Sequence, residues 1–305
     1  MMAPLPIAKA GGRRAARAER LAGVGLAFPA PLLLVLVNVL PLLVLFGLSF
    51  SDYEMGSVSS RFVGAENFRH ALADPVIRKS IGNTFLYVAI VVPSATLVAL
   101  LVAILVYGRK QSRAFYEVVY YLPVTSTLVA MATVWMFLLH PSIGPISHFL
   151  HLLGIEQTNF LSNPTLVIPT LAVIGVWQLL GFNMILFLAG LSAVPRELYE
   201  AAEIDGCKNG VDRFLMVTWP LLGPTTIFVV VTTSITAFKV FDTVAVMTRG
   251  GPMNASQVLL YSIFVEGFEY LKSGYAAALT IIFLVVIALF AVGQTFLADR
   301  RIHYG

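Results

Sequence analysis

Glu200-Ala201-Ala202-Glu203-Ile204-Asp205-Gly206 is a charged, helix-forming stretch between two long apolar runs, Thr165–Gly190 and Phe214–Phe238. A chain built to sit among lipid tails has no structural need for such an island. Its simplest use is as a surface for something soluble. Pro195 suits a first helical turn, where its missing N–H removes no bond. Glu197 and Glu200 then lie near the positive end of the helix dipole. Gly206 suits the position just past the C-terminus, where the backbone turns left-handed. Pro195–Asp205 is therefore expected to form a helix of about three turns lying across the membrane surface. Glu203 and Asp205 stand at the end the dipole disfavours for acids, where stability alone would select lysine. Two small alanines beside an acid permit close approach by a partner and offer a charge to its Arg or Lys. A solubilising loop with ordinary caps is the alternative reading of the same residues.

Outward from this island the chain is apolar. Of its 305 residues 58% are hydrophobic and 12% charged, and the mean hydropathy is +0.85. Soluble domains carry about 25% charged residues. Six runs lack Asp, Glu, Lys and Arg: Leu21–Phe50, Ile81–Gly108, Val118–Leu139, Thr165–Gly190, Phe214–Phe238 and Ser273–Ala298. Each is long enough to cross a bilayer, which takes roughly 20 residues. Lipid offers the backbone no partners, so each run is predicted to be helical. Pro29, Pro31, Pro41, Pro93, Pro123, Pro169, Pro220 and Pro224 fall within them, so bent helices packed as a bundle are expected. The uncharged run Leu21–Phe50 is too long for a signal-peptide core, and the basic head Lys9–Arg20, which also resembles a transit peptide, is read as a cytoplasmic anchor. The single cysteine, Cys207, excludes an intrachain disulfide.

Basic residues set the orientation. Lys9, Arg13, Arg14, Arg17, Arg20, Arg109, Lys110, Arg113, Arg196, Lys208, Arg213, Arg300 and Arg301 share one side. Arg61, Arg69, Arg78, Lys79, Lys239, Arg249 and Lys272 share the other. The balance of 13 against 7 places both termini and the island on the cytoplasmic side. The outer segments carry turn formers, among them Asp74-Pro75, His140-Pro141, Asn163-Pro164 and Gly250-Gly251-Pro252, and the apolar stretch Ile146–Leu153 is expected at the membrane interface. The net charge of +4 says little about partners, and no nucleic-acid partner is expected.

Absences narrow the chemistry. No Gly-x-x-x-x-Gly-Lys-Ser/Thr loop is present, so the chain lacks the usual nucleotide site. There is no His-Glu-x-x-His motif, and His148 and His151, though on one helical face, have no evident third ligand. Polar residues inside spans point to a pathway. Gln178 and Phe182 lie four apart with Asn183 adjacent, and an aromatic ring beside amides suits a sugar. Thr232, Thr233, Ser234 and Thr236 lead to Lys239 and Asp242. Small hydroxyls also serve helix packing, which competes with a pathway role at each threonine. An unpaired lysine inside a span costs about 3 kcal/mol. Lys239 has three readings: an ion pair with Asp242 at the outer edge, a snorkelling side chain, or an attractor for an anionic solute.

Glu200-Ala201-Ala202, Gly206 and Thr218-Trp219-Pro220-Leu221-Leu222 resemble the EAA loop of binding-protein-dependent ABC importer permeases. Leu191–Tyr199, Phe62-Val63-Gly64-Ala65-Glu66-Asn67-Phe68, Tyr121-Leu122-Pro123 and Thr248-Arg249-Gly250-Gly251-Pro252 extend the resemblance to the carbohydrate and glycerol-phosphate branch over nearly the whole chain after residue 20. Two departures are visible: one extra residue between Gly206 and Pro220, and Trp219 where leucine is common. The resemblance implies an all-α bundle of six transmembrane helices (21–298) between cytoplasmic tails 1–20 and 299–305, with a coupling loop at 191–213. It implies a permease in a bacterial inner membrane, and no enzyme. ATP and Mg would sit on a separate ATPase dimer gripped through Glu200, Ala201, Ala202, Asp205 and Gly206, and no cofactor on this chain. A second homologous permease and an extracytoplasmic solute-binding protein would complete the machine, and Arg249 would either pair with an acid on that binding protein or stabilise its own turn. Solute would pass by Gln178, Phe182, Asn183, Thr233, Lys239 and Asp242. A stand-alone secondary transporter is the competing class, and it calls for intramembrane acids that the six runs lack.

Overall fold

The computed structural model describes residues 23–109, 111–154, 159–207 and 209–299. The tail 1–20, residues 300–305, Lys110 and Lys208 lie outside the described residues, so the orientation count rests partly on charges beyond them. The helices are α1 (Gly23–Leu48), α2 (Glu66–Ala73), α3 (Pro75–Tyr107), α4 (Arg113–Thr125) and α5 (Leu128–Leu138). They continue with α6 (Pro145–Leu152), α7 (Val167–Ala193), α8 (Arg196–Ile204), α9 (Gly210–Leu221) and α10 (Gly223–Phe238). Last come α11 (Leu259–Phe264) and α12 (Ser273–Asp299). Among the described residues the only extended pairing is an isolated bridge, Ser51 to Phe62.

The chain is an all-α membrane bundle, and the six apolar runs fold as expected with two differences. Four helices are long and apolar enough to span, and six spans result if each bent pair counts as one. The third run is α4 and α5, turned 99° against each other; the fifth is α9 and α10, turned 68°. The third run breaks after Thr125, where Ser126 and Thr127 are extended. The hydroxyls of Thr125 and Ser126 both donate to the Leu122 carbonyl, at 2.9 and 3.2 Å, and so take the place of the helical N–H. In the fifth run Pro220 and Pro224 stand four apart, so the Pro220 carbonyl has no helical donor and the turn at Leu222 opens. Pro93, by contrast, lies inside an unbroken α3.

α3 and α7 pack along most of their length. Small residues such as Ala95, Ala99, Ala103 and Ala172 are fully buried at their contacts and let the backbones approach. One core cluster surrounds Val91, Leu171 and Ile174. A second, near the α8 end, surrounds Met184, Phe187 and Leu222. A third joins Ile77, Leu259 and Leu279 at the opposite end. α1 differs from all of these, because none of its apolar residues is buried by the rest of the chain. The Phe62–Phe68 segment ties α1 to α2. Asn67 donates to the carbonyls of Ser49 and Ser51 at 3.0 and 2.9 Å, and the Phe50 ring meets Phe62 and Phe68.

Candidate functional site

α8 forms where the sequence places it, one residue shorter at each end than the expected Pro195–Asp205. Pro195 is the N-cap in extended conformation (φ −61°, ψ 138°) and does not enter the first turn. Its fixed φ serves either position, and the extended ψ is what reverses the chain after α7. The other end closes as expected. Gly206 has φ +95°. The Cys207 N–H donates to the Ala202 carbonyl at 2.9 Å and the Gly206 N–H to Glu203 at 3.2 Å, the paired bonds of a left-handed helix stop. Glu200, Ala201, Glu203, Asp205 and Gly206 are exposed, and Ala202 is half-buried. Ile204 stands 86% exposed and Leu198 42%. An apolar side chain this bare beside small alanines and carboxylates makes a face suited to a protein partner. The alanines drew attention to this face in the sequence. Ile204 belonged to it by spacing, four residues after Glu200, and was overlooked.

The pathway candidates separate into three groups. Gln178, Lys239 and Asp242 line one cavity of about 190 Å³ between α3, α5, α7 and the end of α10. Asn183 and Thr233 do not reach it. Both are about 1% exposed, and the Asn183 amide donates to the Thr233 hydroxyl at 2.9 Å. They join α7 to α10 inside the core, so packing is their geometry. Phe182 lies 40% exposed on the outer surface of α7 and lines no part of the cavity. Lys239 and Asp242 form no ion pair among the described residues, which removes that reading. α10 ends at Phe238, so the helical spacing that would bring residues 239 and 242 together is lost. Lys239 is exposed and Asp242 half-buried at the cavity's edge.

Sequence reasoning missed the cavity's other polar wall. Thr243 is 4% exposed with a buried hydroxyl that has no partner. Tyr87 of α3 brings its phenol against Gly175, where any Cβ would collide with the hydroxyl. Gly175 lies one turn before Gln178 on the same face of α7, and that spacing was the available signal. The cavity thus offers an ammonium, a carboxylate, an amide and hydroxyls within a small apolar frame, a set that can exchange hydrogen bonds with a polyhydroxylated or anionic solute. Among the described residues there is no cluster of His, Cys, Asp and Glu able to hold a metal.

At the opposite end from α8 the Thr248–Pro252 loop is pinned. Lys79 donates to the Met253 carbonyl at 2.7 Å, and Asn83 to the carbonyls of Asn254 and Gln257 at 3.1 and 2.8 Å. Arg249 is exposed in a left-handed conformation (φ 49°). It shares a polar cavity of about 350 Å³ with Asp74, Glu266 and Glu269 and makes no ion pair among the described residues.

Residues 80–303 match the family model described as binding-protein-dependent transport system inner membrane component. The sn-glycerol-3-phosphate transport system permease protein UgpA of Agrobacterium fabrum is 32% identical over 251 residues, covering 81% of this chain and 84% of UgpA. The probable ABC transporter permease protein YesP of Bacillus subtilis is 32% identical over 298 residues, covering 95% and 94%. A chain of the bacterial alginate ABC transporter, solved with a pentasaccharide-bound periplasmic protein, superposes with a TM-score of 0.82 at 20% identity, covering 94% and 97%. That last likeness concerns the fold, and the sequence matches carry the family. The bent six-span bundle and its exposed surface helix therefore belong to an inner membrane component of a binding-protein-dependent transport system.

Proposed function

We propose that this chain is one half of the solute pathway of an ATP-driven importer for a carbohydrate or glycerol-phosphate-like solute. A second permease supplies the other half, and both termini face the cytoplasm. α8 docks on a separate ATPase subunit, which holds ATP and Mg, through Glu200, Ala201, Ala202, Asp205 and Gly206. The observation that carries the docking is the bare face of α8, with Ile204 beside carboxylates and alanines. Partly desolvated charge pairs of this kind set partner choice as well as affinity.

The cavity edged by Lys239 is the solute contact. Its ammonium, without an ion pair among the described residues, favours an anionic group, and Gln178, Asp242 and Thr243 take hydroxyls. UgpA, by its name, serves a phosphorylated polyol, which agrees with that charge. The test is co-purification and uptake with the partner ATPase. Glu200→Ala and Ile204→Glu are expected to lower ATPase capture and ATP-dependent uptake together, each by about tenfold or more. Full capture and uptake in both variants would sink the docking. A stand-alone transporter has nothing comparable in its favour: vesicles holding this chain alone should move no solute on an ion gradient.

A further inference from the structure

The exposed face of α8 explains how a motor is gripped, but not how its movement enters the membrane. α8 is held away from the span ends by a cleft of about 460 Å³, walled by Tyr107, Glu200, Glu203, Arg213 and Phe214 among others. Across this gap the hydroxyls of Tyr199 and Thr218 stand 3.0 Å apart, and either can donate. Tyr199 lines this cleft and is half-buried, while Leu198 and Glu200 beside it are exposed. Thr218 is 6% exposed. A sulfur contact, Cys207 to Met216 at 3.2 Å, joins the end of α8 to the same segment.

Thr218 stands at a mechanically particular place. It ends the π-type turn Phe214–Thr218 inside α9, and its carbonyl accepts from the Leu222 N–H at 2.9 Å. Leu222 is the fully buried corner of the 68° bend between α9 and α10. Leu222 keeps its helical bonds to Thr218 and Thr226, but Pro224 has no N–H for the Pro220 carbonyl, so one bond is missing across that corner and the fifth span is weakened there. Beyond it α10 runs through Thr233 to Lys239 at the cavity.

We infer that Tyr199 and Thr218 form a latch that transmits displacement of α8 to the bend at Leu222, and through α10 to the solute cavity. Both are positioning residues, since neither reaches the motor's face nor the cavity. The inference rests on α8 being the ATPase contact. Allosteric linkage of this kind needs an element whose position both sites bias. Here α9 and α10 pivoting about Leu222 are that element.

The experiment uses the assembled transporter with its ATPase, second permease and binding protein in proteoliposomes, and measures solute moved per ATP hydrolysed. Tyr199→Phe and Thr218→Val remove one hydroxyl each and keep the shape. Each is expected to lower the ratio about fivefold, the scale of one hydrogen bond's worth of coupling. The double variant should be no worse than either single, and Thr218→Ser should restore the ratio. Wild-type ratios in both Tyr199→Phe and Thr218→Val would overturn the latch, as would a double variant whose losses multiply. Should Tyr199→Phe fail to assemble, Thr218→Val against Thr218→Ser decides alone: equal ratios overturn the latch, and loss with rescue supports it. A wild-type complex that hydrolyses ATP without capturing α8 would instead refute the docking on which the latch depends.

Discussion

Gln178 and Asn183 show what one residue's neighbours can and cannot reveal. Both are amides in the fourth apolar run, and the sequence alone marks both as out of place in lipid. They are five apart, which on a helix is about 140° of rotation, so one cavity cannot take both. The structure gives Gln178 to the cavity and Asn183 to Thr233. Different losses are therefore expected. Thr233→Val leaves the Asn183 amide without its acceptor in the core, where its Oδ1 already has no partner. Thermal unfolding of the purified permease should show a loss of about 1–3 kcal/mol, with the KM of uptake unmoved. Lys239→Gln should do the reverse: the KM for an anionic solute should rise about tenfold or more and the melting temperature should hold. Equal effects of the two substitutions on KM would contradict the division. Gly206 was legible, because a left-handed stop is a common way to close a helix and glycine adopts it without strain. Gly206→Ala is expected to cost about 1 kcal/mol locally, seen as weaker ATPase capture in the assembled complex.

At the scale of the element, the six apolar runs and the surface helix could be read from length and charge, and the breaks could not. A proline announces a missing N–H, but not whether the freed carbonyl finds another donor. Pro93 sits in an unbroken helix, whereas the third run breaks beyond Pro123 because two hydroxyls hold the Leu122 carbonyl. The fifth run breaks because Pro224 stands one turn after Pro220. Trp219, one of the two departures from the family pattern, lies just before that bend and tilts against Phe214, with ring centroids 6.1 Å apart. Returning one donor should stiffen the corner. Pro224→Ala gives back an N–H for the Pro220 carbonyl, and transport should fall several-fold while ATPase capture persists. Distances between spin labels on α9 and α10 should narrow in spread. Unchanged uptake and unchanged spread would rule out the corner as a pivot.

Across the whole molecule, charge gathers at two ends separated by apolar spans. The end away from α8 holds Glu266, whose carboxyl is raised above the usual range chiefly by burial, with Lys272 at 3.7 Å acting the other way. The folded protein thus holds that proton more tightly than the unfolded chain. The stabilising effect is complete below the ordinary value of 4.5 and is lost as pH rises through the folded value. Glu266→Gln should raise the melting temperature at about pH 7, and the gain should shrink as the medium approaches pH 4.5. A gain that does not vary with pH would assign the effect to something other than this proton. Sequence could not have offered this, because Glu266 reads as an ordinary loop acid until α3 and α11 close around it.

α1 carries a different consequence. Its apolar side chains need no contact with later parts of the polypeptide to be satisfied, since hydrocarbon alone meets them. During synthesis it can enter the bilayer as soon as it leaves the ribosome, while α3 and α7 must wait for each other. α1, made before α3 and α7, is thus free to settle its orientation before they have packed together.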